Sequence, residues 1–204
     1  MNPLEQGLPK RGPGLCTRAI KRTFDIVVAV LILTITSPLL LLTAIAIKLT
    51  SPGPIFYRAH RAGYRGAPFY MFKFRTMRVG SDAKDRMVTD ARDDRITPIG
   101  NLLRKTKVDE LPQLWNVLRG DMSIVGPRPE RPYFVDQFKH RIPQYMLRHK
   151  VKAGITGWAQ INGWRGNTSL EKRIEFDLYY IEHWSLSLDF KIMWLTVLRG
   201  LNRA

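Results

Sequence analysis

The chain has 204 residues, room for one domain with an appendage. It carries 33 Lys and Arg against 17 Asp and Glu, a net +16, and is 45% hydrophobic, which excludes wholesale disorder. One cysteine, Cys16, excludes an internal disulfide framework and a cysteine-rich zinc site, and four scattered His argue against a His-rich one.

Residues 1–16 are polar with Gly and Pro, and are expected to be a flexible lead-in. Residues 17–50 read as a membrane element, because 26–47 (IVVAVLILTITSPLLLLTAIAI) holds no charge. As a helix this run is about 33 Å long, against about 30 Å of bilayer hydrocarbon. Ser37-Pro38 sits mid-segment, where proline removes a donor and predicts a kink or break. Both flanks are basic: Lys10, Arg11, Arg18, Lys21 and Arg22 before, Lys48, Arg58, Arg61 and Arg65 after. Basic flanks favour the cytoplasmic side, so a helix that enters, turns at Ser37-Pro38 and leaves on the same face suits both ends. A kinked full span is the alternative. The carbonyl freed by Pro38 needs a donor, which the Ser37 hydroxyl can supply.

Residues 51–204 then read as one further domain on the side of the basic flanks, expected to be cytoplasmic and, if the motifs below act as a site, the catalytic domain. Residues 55–58 (IFYR) and 68–75 (PFYMFKFR) are aromatic and strand-like, and the Gly63–Gly66 turn makes them a hairpin. Residues 80–95 are charged and read as exposed, with Asp90, Asp93 and Asp94 facing water. Ile99, Leu102 and Leu103 suggest a short helix; Leu111, Leu114, Trp115 and Leu118 repeat at helical spacing up to Gly120. Residues 123–132 read as a Pro-rich loop, 133–149 as helical, 153–169 as irregular and 170–183 as helical. Residues 188–201 suit a C-terminal helix at the membrane interface or an ordinary core helix.

The +16 implies an anionic partner, and nucleic acid is disfavoured because no recognition motif appears. Asp109-Glu110 follows a basic stretch and precedes a helix containing Pro112. An acidic helix cap explains the pair locally. A carboxylate kept ionised by nearby cations is also a nucleophile toward phosphorus, and a second one beside it can hold Mg²⁺. In Gly126-Pro127-Arg128-Pro129, two prolines present one Arg fork with little entropy to lose, which suits phosphate or nucleobase recognition. Lys73 and Arg75 alternate on a strand, and period two aims both to one face. The glycines of Gly154–Gln160 allow close backbone approach.

Taken in order, the stretches KRTFDIVVAVLILTITSP (21–38), YMFKFRTM (70–77), DELPQLWNVLRGDMSIVGPRPE (109–130), GITGWAQING (154–163) and FDLYYIEHWSLSLDFKI (176–192) resemble the bacterial sugar transferases, the monotopic polyprenyl-phosphate phosphoglycosyl transferases. The resemblance implies an α+β, mostly helical fold. A re-entrant membrane helix broken at Ser37-Pro38 would join a compact domain of helices around a small β-hairpin, on the cytoplasmic face of the bacterial inner membrane. It implies transfer of a sugar-1-phosphate from a UDP-sugar to polyprenyl (undecaprenyl) phosphate with release of UMP. This would be the first membrane step of exopolysaccharide, capsule or O-antigen assembly. Asp109 would be the nucleophile, forming an aspartyl-phosphosugar intermediate, and Glu110 would help hold the required Mg²⁺. Lys73, Arg75, Arg104, Pro127, Arg128, Pro129 and Lys152 would line the substrate site. Lys152 keeps a positive charge where many members have Arg, and Lys107-Val108 replaces the usual Ser-Leu. The C-terminal run is similar to the hexose-1-phosphate branch, pointing to glucose or galactose. The implied partners are the UDP-sugar, the polyprenyl phosphate and anionic lipids, not nucleic acid, and a homodimer stays open. The alternatives are a non-catalytic basic membrane-surface scaffold, or the same reaction with an N-acetylated amino sugar.

Overall fold

The computed structural model describes residues 15–81, 93–166 and 168–201. Asp90 and the lead-in up to residue 14 fall outside them. Helix α1 (Leu15–Thr50) carries the apolar run, and only 11% of its most apolar window is buried, so it is not a soluble core helix. It is long and apolar enough to cross a membrane. Helical backbone continues through Ser37-Pro38, so the proline is accommodated inside α1 and does not end it. The proline leaves the Thr34 carbonyl without its usual donor, and the Ser37 hydroxyl donates to that carbonyl at 2.8 Å, as its position suggested.

Both ends of α1 pack on the rest of the chain. Near its start, Arg22 donates to the Val117 and Leu118 carbonyls at 2.5 and 2.7 Å. Buried Asp25 accepts from the Ser123 hydroxyl and the Ile124 amide, while Lys21 pairs with both Asp25 and Asp189. Near its end, Ile47 is buried with Phe74 and Leu103, and Leu40 and Ala44 pack on the same cluster. Between them Val30, Leu31, Ile35, Leu39, Leu41 and Leu42 are exposed.

Strands β1 (Phe56–Ala62) and β2 (Pro68–Phe74) form the expected hairpin, antiparallel, with Tyr57 opposite Lys73 and Arg61 opposite Phe69. Helix α2 (Pro98–Thr106) is capped by the Thr97 hydroxyl and ends at Lys107 in left-handed conformation (φ 63°). A 3₁₀ turn, Val108–Glu110, follows and leads to α3 (Gln113–Arg119), closed by Gly120 at φ 93°. The Asp109-Glu110 pair thus lies a turn ahead of the helix, not in its first turn. Asn116 of α3 is fully buried and bonds the hairpin edge as a strand would, accepting from Phe72 N–H and donating to the Tyr70 carbonyl.

Two segments read as loops are strands. β3 (Met122–Val125) pairs in parallel with β4 (Ala153–Thr156). Gly126 and Gly154 permit it: a Cβ on Gly154 would lie 2.1 Å from the Gly126 nitrogen. The helix expected over 133–149 is shorter, α4 (Pro132–Arg141), followed by a 3₁₀ stretch, Tyr145–Lys150. Helices α5 (Trp158–Ile161), α6 (Leu170–Glu182) and α7 (Leu186–Leu201) complete the chain. α7 buries Asp189 and Ile192 but exposes Phe190, Trp194, Val197 and Leu198, the pattern of a helix with one apolar face left open. Phe190 meets Phe24 of α1 edge-on at 4.9 Å. The main core, holding Ala29, Ala59, Met71, Leu114, Val117, Met122 and Ile192, lies between the base of α1, the hairpin and α3. The result is the α+β, mostly helical architecture expected.

Candidate active site

The site is built where the 108–110 turn meets the open end of the hairpin. Lys107 turns the chain sharply and its carbonyl accepts from the Glu110 amide at 3.1 Å, which aims Asp109 and Glu110 to different sides. Glu110 is clamped. Lys73, at the end of β2, donates to its Oε1 at 2.7 Å, and Arg128 donates to the same oxygen at 2.6 Å. Burial opposes ionisation of Glu110, but the charges and hydrogen bonds of Arg128 and Lys73 outweigh it and hold the carboxyl well below the usual range.

Asp109 is treated in the opposite way. It is 7% exposed, and its Oδ1 has no hydrogen-bond partner. Burial first, and then the Glu110 charge, push its pKa up; Lys73, Lys107 and Arg104 pull the other way. A buried carboxylate oxygen without a donor costs free energy, of order 1–3 kcal/mol. The fold keeps that oxygen uncommitted beside several cations, which is what a nucleophile toward an anionic centre requires.

Arg128 is set by backbone. Its neighbour Pro127 accepts from Gly154 N–H at 2.9 Å, and Gly126 N–H donates to the Thr156 carbonyl at 2.9 Å, so the loop is stitched onto β4. The Arg128 carbonyl accepts from Arg148 at 2.9 Å, and Arg148 is itself locked to Asp177 at 2.7 Å, both side chains buried. Gln160 of α5 accepts from Arg128 at 3.3 Å.

The residues expected in the site divide. Lys73, Glu110 and Arg128 converge directly. Arg104 stands close enough to act on Asp109 electrostatically and donates to Thr76 Oγ1 at 2.8 Å. Pro127 and Pro129 flank Arg128 as expected. Arg75 is not brought in: it lies beyond the end of β2, and its buried guanidinium holds the Ser51 and Pro52 carbonyls at 2.7 and 2.8 Å. The shared strand face thus does not extend to it. Lys152 also stands elsewhere, beside Gly120 and Arg22 at the base of α1, with Asp25 and Asp121 as its acidic neighbours. Asp93 does not face water; it pairs with Arg95. Asn116, Arg148 and Asp177 escaped the sequence reading, and Gln160 entered it only as the end of the glycine-rich 154–160 stretch. A polar residue inside an apolar helical repeat, as Asn116 is, was the one available signal.

A metal fits here in part of the donor set. Among the described residues no group of three or more His, Cys, Asp or Glu could hold a metal ion. Asp109 Oδ1 is unclaimed, and Glu110 Oε2 has only a 3.4 Å contact with Arg128. Two hard oxygen donors of this kind suit Mg²⁺, which completes its shell with water and phosphate oxygens.

The chain is similar in sequence to known proteins. The family model described as bacterial sugar transferase matches residues 16–203. A UDP-glucose:undecaprenyl-phosphate glucose-1-phosphate transferase of Escherichia coli (strain K12) is 54% identical over 194 residues, 92% of this chain but 41% of the relative. A UDP-N-acetylgalactosamine-undecaprenyl-phosphate N-acetylgalactosaminephosphotransferase of Aeromonas hydrophila is 46% identical over 87% of this chain and 43% of its own length. An exopolysaccharide production protein, PSS, of Rhizobium leguminosarum bv. phaseoli is 41% identical over 90% of this chain and 96% of its own length. The chain therefore spans well under half the length of some curated relatives and nearly all of another. With a match that begins inside α1 and runs through α7, the chain belongs to the bacterial sugar transferase family.

Proposed function

We propose that this chain transfers a sugar-1-phosphate from a UDP-sugar to undecaprenyl phosphate and releases UMP. Glucose-1-phosphate is the favoured group, because the E. coli relative with 54% identity is named for it. The observation that carries the reading is the asymmetry of the dyad: Asp109 Oδ1 is unclaimed while Glu110 is fixed by two cations.

In the first half-reaction an Asp109 oxygen attacks the sugar-bearing phosphorus. A phosphorus–oxygen bond to the aspartyl carboxylate forms, the bridging bond breaks, and its electron pair leaves with UMP. In the second, an oxygen of undecaprenyl phosphate attacks the same phosphorus and the aspartyl bond breaks, restoring the carboxylate. Lys73 and Arg128 stabilise charge at the phosphate, and Glu110 holds both cations in register. Mg²⁺, held at Glu110, would supply charge neutralisation at the transferring phosphoryl group.

The membrane arrangement follows from α1. Both its ends pack on one body of chain while its middle is exposed and apolar, which supports a helix that dips into one face and returns. The open apolar face of α7 beside Phe24 supports contact with the same interface. The cytoplasmic face of the inner membrane, where UDP-sugars are made, is the consistent side, and anionic lipids there match the +16 charge.

A panel of UDP-sugars, assayed for UMP release with undecaprenyl phosphate and Mg²⁺, tests the reading. UDP-glucose should be turned over, and Asp109→Asn should lower the rate by at least about 10³-fold. Normal turnover in that variant would overturn the mechanism. The second reading is N-acetylgalactosamine-1-phosphate transfer, favoured by the Aeromonas relative's name, and the same panel separates the two.

A further inference from the structure

The inner face of the hairpin carries a second group of cations. Side chains two apart on a strand share a face, so Tyr57, Ala59 and Arg61 of β1 stand with Lys73, Met71 and Phe69 of β2. Lys73 lies opposite Tyr57, four residues from Arg61, or about 13 Å along the strand at about 3.3 Å per residue. The Lys73 end is closed by Glu110. Arg128 stands between, bonded to Glu110 and acting electrostatically on Arg61.

At the other end, Ala62 N–H donates to the Glu130 carbonyl at 2.9 Å, which brings the neighbours Arg61 and Arg131 to one junction. Arg61 is half-buried, and among the described residues its side chain donates only to the adjacent His60 carbonyl at 3.3 Å. Among the described residues, neither Arg61 nor Arg131 has a carboxylate within ion-pair distance. The nearest acid, Glu130, spends one oxygen on the Arg131 backbone amide and the other on Arg173 at 3.4 Å. Burial, and then the like charges of Arg131 and Arg128 against the opposing pull of Glu130, lower the Arg61 pKa, yet a guanidinium stays protonated. Helix α4 starts directly after Arg131 with no acidic residue in its first turn, so the positive end of its dipole adds to the potential there.

We propose that Arg61 and Arg131, together with Arg128, bind the phosphate of the departing nucleotide and so form the leaving-group end of the substrate site. The inference rests on the transferase reading above. Asp109 must face the sugar-bearing phosphorus, and the second phosphate is one bridging oxygen away. Negative charge grows on that oxygen as the bridge breaks. Lys73 is already neutralised by Glu110, whereas Arg61 and Arg131 meet the new charge without giving up a carboxylate. A guanidinium fork takes two phosphate oxygens at once, which a point-charge ammonium cannot do.

The test measures product inhibition of the full chain by UMP and by uridine, in Arg61→Ala, Arg131→Ala and Arg61→Lys. Each alanine variant should weaken UMP inhibition about tenfold, the scale of one charge-assisted phosphate contact, and leave uridine inhibition unchanged. Both kcat and kcat/KM for the UDP-sugar should fall, because the contact strengthens as charge grows on the leaving oxygen, and Arg61→Lys should recover only part of the loss. Wild-type UMP inhibition in alanine variants that keep the wild-type melting curve overturns the inference. Equal weakening of UMP and uridine overturns it too, since the base rather than the phosphate would then be read. If Arg61→Ala does not fold, Arg131→Ala decides alone by the same criterion. A wild-type chain that releases no UMP from any UDP-sugar fails the transferase reading instead, and calorimetric titration with UMP still decides the arginines.

Discussion

Asp177 and Asp109 are both buried aspartates among arginines and lysines, and they are used in opposite ways. Asp177 is 2% exposed and receives Arg148 at 2.7 Å, and that arginine passes the constraint on to the Arg128 carbonyl. Asp109 is 7% exposed, and one of its oxygens receives nothing. Desolvation raises both pKa values, but Arg148 bonds directly to Asp177, while the cations around Asp109 act only from a distance. The contrast separates an ion pair that shapes a loop from a carboxylate held ready to react. Charge and burial alone do not distinguish them; partner saturation does.

The largest expected effect comes from changing each aspartate to asparagine. Asp109→Asn should abolish turnover yet raise stability at neutral pH. The sign follows from linkage: the folded pKa lies above the unfolded one, so the ionised group weakens the fold above the folded pKa, and the penalty fades as pH falls through it. Asp177→Asn should do the reverse although its pKa is also raised, keeping measurable turnover while losing about 3 kcal/mol, because loss of the direct bond strands the buried Arg148 guanidinium and outweighs the relief of a desolvated carboxylate. Chemical denaturation of both variants checks this, and equal stability losses would erase the contrast.

Glu110→Gln should have an intermediate effect, destabilising by about 2 kcal/mol at neutral pH, less than a fully buried pair because Arg128 is partly exposed. Its pKa is depressed on folding, so the stabilisation is full above the unfolded carboxylate value and is lost as pH falls toward the folded one. A denaturation series across acid pH, with and without the substitution, reads the difference.

The smallest effect concerns Lys107, one of the cations that pull the Asp109 pKa down. Lys107→Met should move the acid limb of the kcat/KM profile upward and leave the melting curve nearly unchanged. An unmoved limb would mean that Asp109 does not titrate in the rate-determining form.

Much of the fold was legible in the sequence because its signals are local. Aromatic alternation around Gly63–Gly66 gives the hairpin, and the apolar repeat ended by Gly120 gives α3. The β3–β4 pair was not legible. Each strand has four residues, Met122–Val125 shows no alternation because all four are buried, and its partner lies some thirty residues on, behind a helix. The Asp-Glu dyad and the proline-flanked Arg128 stood out as residue types. Which cation Glu110 would take, and that Arg75 would turn instead to Ser51 and Pro52, depended on where β2 ends. Arg148 and Asp177 sit in unremarkable stretches and become partners only when α6 is laid beside the 145–150 turn.

The docking of Arg22 onto the Val117 and Leu118 carbonyls has a practical consequence. Those carbonyls belong to the last turn of α3, the helix whose Asn116 holds the hairpin that carries Lys73. A version trimmed to begin after Thr50 would leave the Leu118 carbonyl without the Arg22 donor and open the core that Ala29 fills. The exposed apolar helix is therefore a supporting wall of the candidate site, and removing it takes the site down with it.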